Sequence, residues 1–326
     1  MNFEKYRLIV VTPVYEDVEA SSCLFRELSA QFNNDVFLVA VDDGSIQEPL
    51  TINRLENAGI DGVILKLRRN VGHQRAIAIG LGYASERIQP QQRVIVMDSD
   101  GEDLPSTVHN LLEALSVDDV DVVVAERKSR VESLRFKAFY FVYKLFFSLM
   151  TGRLISFGNF MGLKATAVQR LVVMQELPIH VAAAVLASKL RAKICPLHRG
   201  PRYAGQSKMN FVGLVLHGFK GLMVFAEDVL VRVGIACALI AALSIFGALA
   251  SISLKMFGVA TPGWFSVALG LLFLILLQTI ALAIMTLMTL MLTGVVRGGT
   301  LATVIAYHDF VESVIETNVR VGACEK

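Results

Sequence analysis

The sequence predicts an α/β domain, with a mostly parallel central sheet and helices on both faces, joined to interfacial helices and a two-helix transmembrane hairpin. In the first 125 residues, short apolar runs alternate with helical patterns, as they do in proteins with parallel sheets. Between Arg232 and Arg297 lie 64 residues that carry a single charge, Lys255. A bilayer core needs roughly 20 apolar residues per helix, so this block is long enough for two spans.

The charge composition separates the apolar block from the rest of the chain. Of the 326 residues, 54% are hydrophobic and 18% are charged, whereas about 25% are charged in an ordinary soluble protein. Outside the 64-residue block, 59 of the 60 charged residues occupy 262 positions, which is close to that soluble value. The composition therefore indicates a globular domain with an apolar block attached. It excludes a disordered chain, a fully soluble enzyme and a many-span transporter.

Five strands and two helical patterns are predicted in the N-terminal part of the chain. The strands are Tyr6–Val11, Val36–Val41, Asp61–Lys66, Val94–Met97 and Val120–Ala125, and the helical patterns are Ala20–Gln31 and His73–Ser85. In sheets of this kind, ligands bind at the carboxyl ends of the strands. The polar residues that directly follow the strands are therefore the site candidates.

Acidic segments follow three of these strands, at residues 12–17, 42–45 and 98–103. In the third segment, Asp98 and Asp100 lie two positions apart and, if the chain stays extended, point the same way. Two converging carboxylates repel each other without a cation between them, and Mg²⁺ or Mn²⁺ accepts such carboxylates together with phosphate oxygens. The pair suggests a metal–diphosphate site, and an acidic surface turn is the alternative.

The sequence contains no glycine-rich phosphate loop. Neither GxxxxGK[ST] nor GxGxxG occurs, and Gly80-Leu81-Gly82 lies inside a helical pattern. This absence argues against a P-loop ATPase and against a dinucleotide oxidoreductase. A nucleotide would have to be held by a metal ion and by side chains.

The apolar block predicts transmembrane helices at residues 230–257 and 264–295, separated by the turn residues Gly258–Gly263. A buried pair of core helices is the alternative, which runs of this length without charge disfavour.

Lys and Arg residues indicate the orientation of the hairpin. Lys208, Lys220 and Arg232 precede the first span, the connecting loop carries no charge, and Arg297 follows the second span. Because Lys and Arg mark the cytoplasmic side, we expect a multi-pass protein of the plasma (inner) membrane. Its catalytic domain and both termini would be cytoplasmic.

The formal net charge of +2 hides two opposite halves. Residues 1–125 carry a net charge of −10 and residues 126–232 one of +12. The basic half precedes the first span and would meet anionic headgroups, at about 1 kcal/mol for each Lys or Arg near the surface. Residues 134–151 suit an interfacial helix, with a core helix as the alternative, and residues 211–229 a juxtamembrane amphipathic helix. Membrane lipids are therefore expected partners, and nucleic acid is not.

Five motifs occur in one order along the chain: TPVYED (12–17), VDDGS (41–45), LRRNVGHQRAIAIGL (67–81), VIVMDSDGEDLPS (94–106) and RGPRYAGQSK (199–208). With the hairpin and its PGW turn (262–264), they resemble inverting family 2 glycosyltransferases of the GT-A fold. The resemblance is strongest to polyprenyl-phosphate glycosyltransferases related to dolichol-phosphate mannose synthase. It covers nearly the whole chain and implies a GT-A catalytic domain at 1–210 and a cytoplasmic tail at 296–326.

The resemblance implies an activity and its cofactor. A metal-dependent enzyme would move a sugar from a UDP- or GDP-sugar to a polyprenyl phosphate at the cytoplasmic leaflet, with Mg²⁺ or Mn²⁺ as cofactor. The implied metal ligands are Asp98, Asp100 and Glu102, where the assignment of Glu102 departs from the Gln or neighbouring Asp that the family commonly has.

The resemblance also implies roles for further residues. The nucleotide-binding positions are Pro13, Tyr15, Asp17, Asp42, Asp43 and Ser99, and the family more often has Glu at the position of Asp17. The catalytic positions are Asp98, Asp100, Arg127, Arg202 and Lys208. Arg127 would lie on the phosphate side, and Arg202 and Lys208 belong to a basic loop that closes over the diphosphate and the lipid phosphate. Cations suit that task, because negative charge develops on the leaving diphosphate.

The chain departs from the family at Gly158-Asn159-Phe160-Met161, where the family often carries Gly-Asp-Phe followed by Arg. Asn159 cannot accept a proton. A phosphate monoester acceptor is already an anion at pH 7 and needs no general base, whereas a hydroxyl acceptor needs one from elsewhere. The acceptor thus stays open between a lipid phosphate and a lipid-linked or growing glycan hydroxyl. A non-catalytic membrane scaffold is a third alternative.

Three further features stay open in the sequence. His73 lies where the family carries a histidine at a helix start near the nucleotide, which favours a structural role over a catalytic one. The tail at residues 294–326 differs from the short basic tail expected for the group. Small residues in the first span and the segment Met285–Leu292 could support a homo-oligomer through helix packing.

Overall fold

The computed structural model of the chain describes residues 3–127, 134–154, 157–204, 211–259, 261, 263–298 and 307–317, in two compact units. The sheet unit holds the described residues of Met1–Lys144, Leu154–Val224 and Thr303–Lys326. The hairpin unit holds those of Leu145–Arg153 and Phe225–Ala302.

An eight-stranded sheet forms the centre of the sheet unit, in the order β7-β5-β6-β4-β1-β2-β3-β8. The strands are β1 Leu8–Val14, β2 Val36–Asp42, β3 Asp61–Leu67, β4 Arg93–Val96, β5 Val122–Arg127, β6 Phe157–Lys164, β7 Ala192–Leu197 and β8 Val311–Glu316. The pairs β1–β2, β2–β3, β1–β4 and β5–β7 are parallel, whereas β6 and β8 run antiparallel to their neighbours. The mostly parallel sheet is confirmed, with all five predicted strands close to their expected positions.

Helices pack on both faces of this sheet. The helices that precede the hairpin are α1 Val18–Phe32, α2 Ile52–Ala58, α3 His73–Ser85, α4 Val108–Leu115, α5 Leu134–Thr151, α6 Ala165–Val172, α7 Val181–Ala187 and α8 Phe211–Val224. Successive residues of a strand point to opposite faces. Accordingly, Ile9 of β1 packs in one core with Ile77 of α3, and Val10 packs in another core with Leu24 of α1. The predicted layered α/β arrangement is therefore confirmed.

The C-terminal tail supplies the strand at one edge of the sheet. After the short helix α11 Tyr307–Phe310, β8 pairs antiparallel with β3, from Val63 opposite Glu316 to Leu67 opposite Val311. None of β6, β7 and β8 is predicted by the sequence pattern. The tail is thus part of the α/β fold, a role that the sequence leaves open.

Two long apolar helices form the predicted hairpin, α9 Ala226–Met256 and α10 Trp264–Gly298, and both are long and apolar enough to cross a membrane. They meet closely at Gly247, where an added Cβ would lie 3.3 Å from Leu272. The turn between them contains Gly258 and Gly263 with φ values of 72° and 83°, a conformation that favours glycine. Because α8 ends at Val224, the predicted amphipathic segment 211–229 includes a break before α9.

Apolar side chains are exposed along one side of α5 and one side of α8. The exposed residues are Phe141, Val142, Leu145, Phe146 and Leu149 on α5, and Val212, Leu216, Phe219 and Met223 on α8. Such exposure disfavours the alternative that α5 is a core helix. Contact of either helix with lipid headgroups stays a prediction.

Candidate active site

Asp42, at the end of β2, is held by backbone amides. Its Oδ1 accepts a hydrogen bond from the amide of Ser45 at 3.0 Å, and its Oδ2 accepts one from the amide of Leu50 at 2.9 Å. The side chain is fully buried. Asp42 therefore fixes the loop that leaves β2.

Asp43 links the same loop to the segment between β3 and α3. Its Oδ1 accepts from the amide of Val71 at 2.7 Å and its Oδ2 from the amide of Gly72 at 3.0 Å. Burial raises the pKa of Asp43, although these two amides act to lower it. At Gly44, φ is +72° and an added Cβ would lie 2.5 Å from the backbone of Arg69, so only glycine allows this close approach.

The segment after β1 lies beside this loop. β4 pairs with β1 only as far as Val11. The missing N–H of Pro13 therefore faces a side of the strand where pairing with β4 has ended, as expected for a proline in a sheet. Pro13 is buried and pairs with Val41 in register, Tyr15 is 43% exposed, and Asp17 directly precedes α1.

The acidic segment after β4 turns rather than staying extended. β4 ends at Val96, and a turn begins at Ser99, so the condition of an extended chain, under which Asp98 and Asp100 would point the same way, is not met. The chain turns because the carboxylate of Asp103 accepts from the amide of Asp98 at 3.0 Å. The Oδ1 of Asp100 likewise accepts from the amide of Glu102 at 3.0 Å.

A basic loop at residues 199–203 lies against this acidic turn. The amide of Gly200 donates to the carbonyl of Glu102 at 3.1 Å, and the amide of Tyr203 donates to the carbonyl of Asp100 at 2.9 Å. At Gly101, φ is +91° and an added Cβ would lie 2.5 Å from the Tyr203 ring. The two loops thus pack backbone against backbone.

Side-chain ion pairs also join the two loops. Arg202 Nη2 lies 2.6 Å from Asp100 Oδ2, Arg202 Nε donates to Glu102 at 3.2 Å, and Arg199 pairs with Glu102 and, at 3.3 Å, with Asp103. Burial and the neighbouring Asp98 carboxylate raise the pKa of Asp100, against the lowering effect of Arg202. The loops therefore hold opposite charges face to face.

His73, the first residue of α3, contacts the acidic turn. Its Nε2 lies 3.1 Å from Asp98 Oδ1 and 3.0 Å from Asn159 Nδ2. Desolvation lowers the pKa of His73. The negative charges of Asp98, and then of Asp100 and Asp43, raise it, and together they outweigh desolvation, so the pKa lies above its usual value.

Carboxylates in the acidic turn fit a divalent cation by their chemistry. Among the residues that the structure describes, no three His, Cys, Asp or Glu side chains are grouped as metal ligands. Glu102 instead accepts from Arg199 and Arg202. However, Mg²⁺ is typically held by one or two carboxylates together with substrate phosphates and water. Asp98 and Asp100 are carboxylates of the kind that such a site requires, and their role as metal ligands stays a prediction.

The family model for glycosyl transferase family 2 matches residues 9–169. The chain contains a family 2 glycosyltransferase domain. This match and the eight-stranded mixed sheet confirm the GT-A fold that the motifs imply.

Several proteins are similar to this glycosyltransferase. The prophage bactoprenol glucosyl transferase homolog of Escherichia coli K12 is 25% identical over 289 residues, covering 86% of this chain and 92% of its own. The bactoprenol glucosyl transferase of Shigella phage SfV is 26% identical, with 86% and 92% covered. Among solved structures, glucosyl-3-phosphoglycerate synthase from Mycobacterium tuberculosis, in complex with Mn²⁺ and UDP-glucose, is 15% identical. It has a TM-score of 0.49 and covers 69% of this chain and 79% of that one.

The remaining predicted residues of the glycosyltransferase are placed unevenly. Ser99 is buried in the acidic turn. Arg127 is the last residue of β5, and the structure describes only its backbone. Lys208 lies outside the described residues. The structure therefore brings together Asp98, Asp100, Glu102 and Arg202, near the loops held by Asp42 and Asp43.

One carboxylate of this site is missed by the sequence. Glu16 accepts from the backbone amides of Ile46, Gln47 and Glu48 at 2.6, 3.0 and 2.6 Å. Its own amide donates to Ser45 Oγ at 2.9 Å, and its φ is 46°. Glu16 therefore joins the loops after β1 and β2. The only indication of its role in the sequence is its position between Tyr15 and Asp17, which are both predicted to bind the nucleotide.

Proposed function

We propose that this glycosyltransferase moves a sugar from a nucleoside-diphosphate sugar, with UDP or GDP as the carrier, to a polyprenyl phosphate at the cytoplasmic face of the plasma (inner) membrane. The observation that carries the proposal is the packing of the acidic turn against the basic loop. A nucleoside diphosphate is a dianionic or trianionic leaving group, and charge on it increases as its bond to the sugar breaks. Cationic groups aimed at that charge are the main contribution a protein makes to such a step.

The donor nucleotide would bind at the ends of β1 and β2. The assigned residues are Pro13, Tyr15, Asp17, Asp42, Asp43 and Ser99. Asp42 and Asp43 use one lone pair of each oxygen on backbone amides, and a carboxylate oxygen can accept a second hydrogen bond. Asp43, which is 3% exposed, can contact the base or ribose while keeping its structural role, whereas Asp42 is fully buried and would support the donor site by holding the loop after β2.

A divalent cation would be held by Asp98 and Asp100, with Glu102 able to complete its coordination. When bound, Mg²⁺ or Mn²⁺ neutralises charge on the diphosphate and orients it. Arg202 would contribute to the same neutralisation, since its guanidinium already lies at Asp100. Lys208 and Arg127 are assigned to the phosphates of the acceptor and donor.

The reaction would be a single displacement. A lipid-phosphate oxygen attacks the anomeric carbon, and the bond between that carbon and the diphosphate oxygen breaks. The new bond forms on the opposite face, so the configuration inverts and the nucleoside diphosphate leaves. No proton must be removed, because the attacking oxygen is already an anion at neutral pH. The presence of Asn159, which cannot act as a base, is consistent with this acceptor.

Membrane anchoring would place the acceptor within reach. α9 and α10 would span the bilayer, while the apolar sides of α5 and α8 would lie in the headgroup region. The flanking basic residues favour cytoplasmic termini. The names of the two relatives refer to bactoprenol, which supports a lipid acceptor.

Mass spectrometry of lipid products tests the proposal. Full-length protein in nanodiscs is incubated with undecaprenyl phosphate, Mn²⁺ or Mg²⁺, and a panel of UDP- and GDP-sugars. We expect one donor to add a single sugar to the lipid phosphate, and the product to be cleaved by mild acid. EDTA should abolish the product. No glycosylated lipid phosphate with any donor would show that the proposed acceptor is wrong.

The departure from the family at Asn159 motivates a second candidate, in which the acceptor is a lipid-linked or growing glycan hydroxyl. Such an acceptor must lose a proton, and another residue would have to take it. Here the product would contain a glycosidic bond and would survive the mild acid that cleaves a glycosyl phosphate. Asn159→Asp should then increase transfer if it supplies a base, whereas transfer to a lipid phosphate should not increase.

A further inference from the structure

The C-terminal segment Tyr307–Thr317, which we call the C-terminal strap, lies along the edge of the sheet next to the candidate site. We infer that the C-terminal strap is a positioning element for donor binding, because it holds the segment that connects β3 to α3. This inference rests on the proposed function, in which Asp43 and the acidic turn bind the donor. The contacts at its two ends differ in what they fix.

The far end of the C-terminal strap holds the start of β3. Thr317 is buried, its amide donates to the carbonyl of Gly62 at 3.0 Å, and its Oγ1 accepts from the amide of Gly62 at 3.0 Å. Tyr83 of α3 donates to Glu316 at 3.3 Å. This end lies away from the carboxyl edge of the sheet, where the predicted donor residues are.

The near end continues past the end of β3. The carbonyl of Phe310 accepts a hydrogen bond from the amide of Arg68 at 3.0 Å. The guanidinium of Arg75, in the first turn of α3, lies 6.0 Å from the centroid of the Phe310 ring. Phe310 is thus bonded to the first residue of the segment 68–72 and lies near Arg75, just beyond its end.

Tyr307, at the start of the C-terminal strap, anchors it on the C-terminal end of α3, beside Tyr83. Its ring packs at Gly82, where an added Cβ would lie 3.1 Å away, so a larger residue would displace it. Its hydroxyl donates to Glu86 at 2.6 Å and accepts from Arg87 at 3.3 Å. The side chain is 5% exposed. Tyr307 is therefore a buried attachment point, with its hydroxyl hydrogen-bonded to two residues of the same helix region.

The segment 68–72 is consequently held from two directions. On one side, Arg68 is bound to Phe310 of the C-terminal strap. On the other side, Val71 and Gly72 donate their amides to Asp43, and the next residue, His73, contacts Asp98. Loss of the first attachment would let the segment move and would displace the second set of contacts. A displacement of about 1 Å at a reacting centre can lower the rate a hundredfold.

Amide hydrogen exchange on the full-length protein tests the inference directly. Tyr307→Ala removes the anchor. Phe310→Ala is a second variant, which keeps the Tyr307 anchor and the Phe310 backbone carbonyl but removes the Phe310 ring. Thr317→Val is the matched control, because it removes hydrogen bonds from the same strand at the end that faces away from the site. We expect the first two variants to speed exchange in residues 68–73 by about tenfold or more, and Thr317→Val to speed it only near Gly62.

Kinetics separate positioning from general destabilisation. Where transfer is measurable, Tyr307→Ala should raise the KM for the donor and lower kcat/KM about tenfold to a hundredfold, with the KM for the lipid unchanged. A variant that merely lowers the folded fraction would lower kcat and leave both KM values unchanged. Tyr307→Phe should retain most of the donor affinity, because it keeps the packed ring.

The outcomes distinguish this inference from the proposed function. If Tyr307→Ala and Thr317→Val change exchange in residues 68–73 equally, or if donor KM is the same in both, the positioning role is wrong. If the wild-type protein transfers no sugar to lipid phosphate, the proposed function is wrong. The exchange experiment still decides in that case whether the C-terminal strap holds the segment 68–72.

Discussion

Two groups of carboxylates meet at the same edge of the sheet but are held in different ways. Asp42, Asp43 and Glu16 accept hydrogen bonds from the backbone amides of neighbouring loops. Asp100 and Glu102 are paired with the side chains of Arg202 and Arg199. The first group is bound to the fold itself, whereas the second is bound to cationic side chains, with Asp100 also accepting from the backbone amide of Glu102.

This difference separates structural carboxylates from exchangeable ones. A backbone amide cannot leave its acceptor unless the loop that carries it changes conformation. A guanidinium on a flexible side chain can rotate toward a bound diphosphate and release its carboxylate to a cation. We therefore expect substitutions in the first group to lower the stability of the fold, and substitutions in the second group to lower sugar transfer at nearly constant stability.

Asp100→Asn should produce the largest effect on activity. Asparagine keeps the size of the side chain and an oxygen that can accept from the amide of Glu102, but it removes the charge. Loss of one electrostatic group at a reacting centre typically lowers the rate about a hundredfold or more. Burial raises the pKa of Asp100, so its charge disfavours folding, and the midpoint of thermal unfolding should not fall.

The measurement for Asp100→Asn is the initial rate of sugar transfer, with the unfolding midpoint recorded on the same preparation. Transfer at the wild-type rate would remove Asp100 from the mechanism. A loss of activity together with a large decrease in the midpoint would show that Asp100 belongs with the structural carboxylates, and the division between the two groups would fail.

Asp42→Asn should produce the largest effect on stability. The amide group of asparagine would face the N–H of either Ser45 or Leu50, so one hydrogen bond is lost and two donors meet in a fully buried position. Hydrogen bonds to charged groups contribute about 1.5–3 kcal/mol, and we expect a destabilisation in that range. Thermal unfolding in detergent measures it. An unchanged midpoint would contradict a structural role for this carboxylate.

Gly101→Ala should separate the acidic turn from the basic loop. The added Cβ would meet the Tyr203 ring at 2.5 Å in a backbone with φ of +91°, so the basic loop must move, and we expect about a tenfold loss of transfer. Gly59→Ala is the control for backbone strain alone. Its φ is +66°, and the nearest atom to the added Cβ, Ser29 Oγ, is 3.5 Å away. Equal transfer rates in the two variants would mean that the contact between the loops has no role in the reaction.

The sequence predicts the strands that are continuous apolar runs and misses those that are not. β1 to β5 are apolar runs that end in polar residues, and each is found near its expected position. β6 contains two glycines, β7 is largely exposed and carries Pro196, and β8 pairs with β3 across a separation of 255 residues at Gly62 and Thr317. Low β-propensity, an edge position and long-range pairing leave no local pattern to detect.

The sequence predicts the site residues that belong to recognisable motifs. It misses the parts of the site that depend on backbone conformation and backbone hydrogen bonds. The motifs identify Asp98, Asp100 and Arg202, which the structure brings together. The sequence does not predict the turn after β4, in which the carboxylates of Asp103 and Asp100 accept hydrogen bonds from backbone amides. Glu16 accepts hydrogen bonds from three consecutive amides, and its backbone has a positive φ. No residue pattern predicts that geometry.

Asp121, on the surface, is held both by a backbone amide and by an arginine side chain. Its substitution should have the smallest effect on stability. It accepts from the amide of Arg191 at 3.0 Å and from its guanidinium at 2.7 and 2.9 Å. The Arg191 side chain lowers the pKa of Asp121 from 3.8 to about 2. A lowered pKa in the folded state contributes stability that is present above about pH 4 and is lost as the pH falls toward 2. Because Arg191 is 54% exposed, solvent screening keeps the contribution small.

The comparison of wild type with Asp121→Asn isolates this contribution, since other titrating groups cancel in the difference. The difference between the two unfolding midpoints should be constant above about pH 5 and should decrease toward zero as the pH falls through and below about 2. High salt should also reduce it if the guanidinium is the main partner, because screening weakens exposed ion pairs. A difference that persists at pH 2 and in high salt would instead assign the stability to the amide hydrogen bond. Asp121 would then belong with the backbone-held carboxylates, despite its paired arginine.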